Sequence, residues 1–205
     1  MNLESRSCGG FARERGFSLL ELLFVVAVTG VIAAIAMPMM AKSIDYFRLS
    51  GDARSVSNAT ALAKMRAAAT FSRGRLYVDL TGKTFRVESW QKTGTPGWAA
   101  VEGTTNRNSN DTFGFGVVGS APPNTQATIG QAPACLDSTG TVIANTACVV
   151  FNSRGVPVDA TGAPTPIDAI YLTDGTAVYG ITVSATGMIR MWRTTATATP
   201  AWTLQ

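Results

Sequence analysis

Three groups of residues in this sequence have types and spacings that could do chemistry. Glu21 stands at the entrance to the uncharged run Leu22–Ala41, where a carboxylate demands a cationic partner. Cys135 and Cys148 are near enough in sequence to close a local loop, whereas Cys8 is far from both. Gly187-Met188-Ile189-Arg190-Met191-Trp192-Arg193 sets two guanidiniums around an indole, a combination that can meet a phosphate while stacking on a base.

Most other chemistry is excluded. The chain has no histidine, which removes Ser/His/Asp hydrolysis, Cys/His proteolysis and every histidine-containing metal site. Gly114-Phe115-Gly116-Val117-Val118-Gly119 spells a dinucleotide loop, but Pro122 and Pro123 follow where a helix must open. Gly82-Lys83-Thr84 echoes the end of a phosphate loop, yet Tyr77 occupies the position of the required earlier glycine, so the stretch reads as a hairpin turn. Asp159, Asp168 and Asp174 would ligate calcium only if the fold converged them. No catalytic residue, metal or cofactor is expected, and the chain is not expected to be an enzyme. The net charge of +4 is scattered and does not itself name a nucleic-acid partner.

These residues must be positioned by a chain of 205 residues, room for one ordinary domain and an accessory segment. Charged residues are only 15% of it, and Gly, Ser, Thr, Ala and Asn are plentiful, as in secreted proteins rich in looped β-structure. The run Leu22–Ala41 is long enough to cross a hydrocarbon core of about 30 Å as a helix. Arg13 and Arg15 precede it and predict a cytoplasmic N-terminus. A conventional signal peptide cut after Ala34 or Ala36 and a plain single-pass anchor both leave Glu21 unexplained. An ionised carboxylate there costs on the order of 3 kcal/mol on insertion scales. A lipoprotein reading of Cys8 fails because no apolar stretch precedes it.

Gly16-Phe17-Ser18-Leu19-Leu20-Glu21 resembles the processing signal of type IV prepilins and type II secretion pseudopilins. The resemblance implies that a prepilin peptidase cuts after Gly16, that Phe17 becomes N-methylated, and that the new amine of one subunit is neutralised by Glu21 of another during filament assembly. A buried carboxylate thereby gains a counter-ion. Gly30 and Pro38 fall where several pilus helices are locally unwound, and both residue types weaken helices. The implied location is the bacterial inner membrane, single-pass, with the head in the periplasm and the subunit incorporated in a pilus or pseudopilus. The implied partners are other pilin subunits, the peptidase and the inner membrane. Export to an oxidising compartment favours a disulfide between Cys135 and Cys148 over two buried thiols, worth roughly 3 kcal/mol.

Beyond Ala41, the residues Leu49, Ala53, Val56, Thr60, Ala63, Ala67 and Phe71 recur at helical steps and predict one apolar face. Ser72-Arg73-Gly74 ends that pattern. Residues 75–79 and 84–90 then alternate with period two around a Thr-Gly turn, predicting a β-hairpin. Residues 91–111 read as loop, and further strands are expected at 113–118, 147–151, 169–172, 179–183 and 188–193, the last two joined at Gly187. The organisation is a leader over 1–16, a membrane-spanning helix over 17–41, its amphipathic continuation over 42–73, and a β-rich head over 74–205. The fold class is α+β, a long helix packed on an antiparallel head.

That order, with Phe151-Asn152-Ser153-Arg154-Gly155 and Ser184-Ala185-Thr186-Gly187, resembles the GspH/FimT branch of minor pilins and pseudopilins. Some FimT-type members bind incoming DNA through a C-terminal Gly-Arg-x-Arg motif. Arg190 matches its second arginine, but Met188 replaces the first, and on a strand Arg190 and Arg193 face opposite ways. A structural filament subunit is therefore the leading expectation. A DNA receptor using Arg190, Trp192 and Arg193 is the alternative.

Overall fold

A computed structural model describes residues 17–107 and 110–205, with residues 38, 39, 41 and 42 described by their backbone alone. The chain divides into two compact units, one ending at Ser43 and the other running from Ile44 to Gln205. A helix, α1, spans Leu19–Ala69 and contributes to both.

In the first unit, the Leu19–Met37 stretch of α1 carries apolar side chains on every side, with Glu21 the one charge among them. Leu19–Met37 is long and apolar enough to cross a membrane, and none of it is buried within the protein. A helix apolar all round needs an apolar surrounding, either lipid or other helices.

In the second unit, α1 is two-faced. Leu49, Ala53, Val56, Ala63 and Ala67 are fully buried, at the spacing the sequence predicts. Thr60 is buried in the same stripe because its hydroxyl donates to the Val56 carbonyl at 2.7 Å, leaving no unpaired donor. The stripe stops short of Phe71, which is 77% exposed. The helix ends at Ala69, and Phe71 takes the left-handed conformation (φ 47°) usually given to glycine. Ser72 N–H closes on the Ala67 carbonyl and Phe71 N–H on that of Ala68, the paired bonds of a Schellman cap.

Gly74, expected at the helix end, instead opens the first strand. A side chain there would lie 2.4 Å from the Ala63 carbonyl oxygen, so glycine lets the strand touch the helix backbone.

Strands β1 (Gly74–Asp79) and β2 (Thr84–Gln91) form the predicted hairpin. The Asp79 carboxylate accepts from the Thr81 and Gly82 amides at its turn. The region read as loop over 91–111 holds two short edge strands, β3 (Gly97–Ala100) and β4 (Thr105–Asn106), both paired with β2. β5 (Thr112–Phe113) is shorter than the strand expected over 113–118, because Gly116 turns left-handed and Val118 N–H closes on Phe115. No helix follows it, as a dinucleotide loop would require.

β6 (Thr146–Phe151), β7 (Ile167–Thr173), β8 (Ala177–Ser184) and β9 (Ile189–Thr195) match their expected positions, and β10 (Thr203–Leu204) adds an edge. One antiparallel sheet runs β3-β2-β1-β6 with β4 also on β2; the other runs β10-β9-β8-β7-β5. Leu76, Val78, Val149 and Phe151 of the first sheet share a core with Ile170, Tyr179 and Ile181 of the second and with the buried stripe of α1. Each fully buried side chain of this size contributes about 1.5–3 kcal/mol. The fold is thus α+β, with the helix and two antiparallel sheets around one core.

Four turns share one chemistry. Asp137, Asn152, Asp159 and Ser184 each accept with their side chain from the amide four residues on, and a glycine at the fourth position (Gly140, Gly155, Gly162, Gly187) has φ between 74° and 88°. A left-handed glycine in this place is a bulge that matches the twist of the flanking chain.

Candidate functional site

Phe17 precedes α1 and is 81% exposed; Ser18 stands just before the first helical residue and its carbonyl receives the Leu22 amide. Glu21 lies in the first turn. Its carboxylate has no hydrogen bond or ion pair with a described residue. Acidic charge in a first turn suits the positive end of the helix dipole, but at most by about 1 kcal/mol at an exposed site. That is small beside the roughly 2.5–3.5 kcal/mol that an ionised carboxylate costs at the centre of a hydrocarbon core. Gly16, the predicted cleavage residue, lies outside the described residues, as does Cys8.

Further along, the Thr29 hydroxyl returns to the Val25 and Val26 carbonyls at 2.9 and 3.0 Å, so the polar group inside the apolar run is internally satisfied. A side chain added at Gly30 would meet nothing within 4 Å. The helix backbone is continuous through Gly30 and Pro38. Among its described residues the first unit presents one carboxylate, Glu21, followed by a run of apolar side chains.

The last hairpin separates the three residues considered for DNA. Arg190 is exposed. Trp192 is only 8% exposed, and its indole N–H donates to the Thr182 hydroxyl at 3.0 Å, so its ring is not available to stack on a base. Arg193 turns to the opposite face, where its guanidinium lies 4.8 Å from the centre of the Tyr46 ring on α1. The three do not converge. Arg190 instead shares a surface pocket of about 420 Å³ with Arg54, Asn58 and Gln205.

Cys135 and Cys148 form a disulfide, with Cα atoms 5.0 Å apart. The bond ties the loop after Ala132 to the outer face of the first sheet, beside Tyr77. That face carries a charged cluster that period-two reading did not single out. Arg75 is 3% exposed, pairs with Glu88, donates to the Leu136 carbonyl, and lies 4.0 Å from the Trp98 ring centre. Arg86 binds the other Glu88 oxygen at 2.7 Å and covers Tyr77 at 3.9 Å. Burial lowers the Arg75 pKa and the neighbouring Glu88 opposes the shift. The available signal was Arg75 and Glu88 on adjacent alternating strands beside Trp90 and Trp98.

A second cluster joins α1 to the chain before β5. Arg107, its side chain buried, sits 3.7 Å from Asp52 and 4.1 Å from the Phe113 ring centre. Asp111 is 2% exposed, and burial, with a hydrogen bond to Asp52, pushes its carboxyl up to about 7 against the pull of Arg107.

The three aspartates weighed as calcium ligands have separate duties. Asp159 and Asp174 accept amides of their own turns, while Asp168 accepts from Thr165 at 2.8 Å. Among the described residues, no group of three or more acidic, cysteine or histidine side chains could hold a metal.

Residues 11–37 match the prokaryotic N-terminal methylation motif, so the chain carries a prepilin-type N-terminal signal. No curated protein sequence matches the chain. Two solved structures resemble its fold, both of the minor pseudopilin EpsH from the type II secretion system of Vibrio cholerae. One is 13% identical with a TM-score of 0.42, covering 75% of this chain and 95% of its own. The other is 12% identical with a TM-score of 0.37, covering 77% and 96% respectively.

Proposed function

We propose that this chain is a structural subunit of a type IV pilus or a type II secretion pseudopilus, and that its activity is assembly. The carrying observation is that the methylation motif over residues 11–37 runs into an unburied apolar helix, Leu19–Met37, whose first turn holds Glu21, a carboxylate with no ion pair among the described residues. Cleavage after Gly16 by a prepilin peptidase frees the Phe17 amine, which is then N-methylated. That amine of one copy meets Glu21 of another, and opposite charges within about 4 Å in a low-dielectric surrounding attract strongly enough to offset much of their desolvation. Leu19–Met37 holds the subunit in the inner membrane before assembly, with the head on the periplasmic side, and afterwards packs among neighbouring helices. Gly30 and Pro38 are the points where such packing would loosen the helix. No reaction step is required of any residue.

Mass spectrometry of the mature chain tests this reading. The expected species begins at a methylated Phe17 and lacks residues 1–16. An intact leader in filament-associated protein overturns it, as does unchanged filament incorporation of Glu21→Gln.

A second reading, a minor pilin that contacts DNA, draws on the exposed Arg190 beside Arg54. It receives no support from Trp192, whose indole is buried and bonded. Its test is DNA binding by the full chain that weakens with added salt and with Arg190→Ala.

A further inference from the structure

The outer face of the first sheet and the loop stapled by Cys135–Cys148 enclose a cavity of about 560 Å³ with a mainly apolar wall that includes Trp90, Trp98, Val142, Val150 and Val158. This volume lies within the range of small-ligand sites. Among the charged side chains of the wall, one is a buried carboxylate without a cation. Asp168, near the start of β7, is 5% exposed. Its Oδ2 accepts from the Thr165 hydroxyl at 2.8 Å, and among the described residues no cation or further donor reaches the carboxylate.

The other buried carboxylates of the head have cations: Glu88 has Arg75 and Arg86, and Asp111 has Arg107 close by. The turn aspartates have backbone amides. A buried carboxylate without either costs several kcal/mol, and the sequence could have removed it with asparagine at no change in volume. Burial raises the Asp168 pKa, as it must for a group lacking a counter-ion. Around the cavity, Asp137, Asp159 and Asp168 stand against Arg73 and Arg75, and Arg75 is already engaged by Glu88. The balance is negative.

We propose that this cavity binds a primary amine or guanidinium on an apolar or aromatic stem, with Asp168 as counter-ion and the tryptophans and valines as walls. The cation is either a lysine or arginine side chain of a partner polypeptide or a free organic amine; both present the same chemistry. Every residue of the site lies in the second unit, whereas Glu21 and the apolar run on which the assembly reading rests lie in the first.

Titration calorimetry on the full chain in lipid nanodiscs tests the site with three ligands sharing one ring: tryptamine, tryptophol and indole-3-acetate. Tryptamine is expected to bind, tryptophol about tenfold more weakly, and indole-3-acetate more weakly still. Asp168→Asn is expected to weaken tryptamine about tenfold while leaving tryptophol unchanged. The same substitution is expected to leave the unfolding midpoint unchanged or raised, which a merely structural aspartate would not do. Val150→Trp fills the cavity and is expected to abolish binding of both, giving a second readout should Asp168→Asn not fold. A capped Val-Lys-Val peptide distinguishes the sources: tighter binding than tryptamine identifies a polypeptide partner, and weaker binding a free amine. Equal binding of indole-3-acetate and tryptamine, unchanged tryptamine affinity in Asp168→Asn, or no binding of either cation at about 1 mM overturns the proposal.

Discussion

The ammonium group of Lys64 on α1 donates a 2.9 Å hydrogen bond to the carbonyl of Gly187, the left-handed glycine in the turn between β8 and β9. A side chain on Gly187 would sit 2.2 Å from the Gly155 carbonyl oxygen, and one on Gly155 would sit 2.8 Å from Lys64 Cε. The two turns therefore close on each other and on the helix through a contact only glycines permit.

Gly187→Ala is accordingly expected to destabilise the head by more than the roughly 1 kcal/mol of a left-handed alanine alone, because backbone must also move. Lys64→Met keeps the aliphatic stem but loses a charge-assisted bond, and should cost about 1.5–3 kcal/mol. Urea unfolding of the full chain in detergent, followed by tryptophan fluorescence, measures both. Equal stability of Gly187→Ala and the parent would contradict the packing described.

The Arg75–Glu88 pair gives a prediction in which the double variant is more informative than either single one. Both side chains are buried and Glu88 also holds Arg86. Arg75→Met leaves Glu88 short of one partner and the Leu136 carbonyl without its donor, and should cost about 3–5 kcal/mol. Adding Glu88→Gln is expected to recover part of that loss, since the buried carboxylate left with Arg86 alone is gone. The same unfolding assay reads the cycle, and strict additivity would mean that the pair is not coupled.

Much of this head was legible where chemistry and geometry act locally. Leu76 and Val78 alternate with Arg75 and Tyr77, so β1 announced itself, and the α1 stripe from Leu49 to Ala67 followed the helical period. The edge strands β3 and β4 were hidden because their residues are mostly small or polar and their pairing is set by β2, not by their own pattern. Phe113–Val118 looked like a strand, yet Gly116 bends it. Phe71 continued the apolar period past the helix end, since periodicity does not register a cap. The burial of Arg75 and Glu88 was hidden because a charged residue on an alternating strand reads as solvent-facing, and that of Asp168 because it stands just before the strand expected over 169–172. The repeated turn spelling, Asp or Asn or Ser followed three residues later by Gly, was present at 137, 152, 159 and 184 and would have located four turns.

The Cys135–Cys148 bond should matter more for the cavity loop than for the core. It lies at the edge of a small satellite cluster with Tyr77, apart from the core shared by α1 and the sheets. Changing both cysteines to alanine removes a cross-link over a 13-residue separation, worth roughly 3 kcal/mol. The expected result is a lower unfolding midpoint and faster proteolysis between Ala132 and Thr146, with the strands retained by circular dichroism. Loss of all β-structure in that variant would show that the bond holds the fold itself.

Asp111 makes the stability of the head depend on pH in a direction opposite to that of most carboxylates. Its folded pKa is raised to about 7 by burial and by the hydrogen bond to Asp52, whereas an unfolded aspartate titrates near 4. The folded state therefore holds this proton more tightly, its contribution is fully present below about pH 4, and it is lost as pH rises toward 7. A tenfold difference in proton affinity between the two states corresponds to about 1.4 kcal/mol, so the decline should reach a few kcal/mol at most. Asp168, also raised by burial, acts in the same sense. Asp137 and Asp159, lowered by hydrogen bonds within their turns, act oppositely as pH falls through their own range, as does Asp174, where burial is outweighed by such bonds. Asp111→Asn isolates the first effect: it should flatten the fall in unfolding free energy between about pH 4 and 7, leaving the acid limb in place. A parent profile that instead rises throughout that window, with no change in Asp111→Asn, would mean that Asp111 stays ionised beside Arg107 in the folded protein.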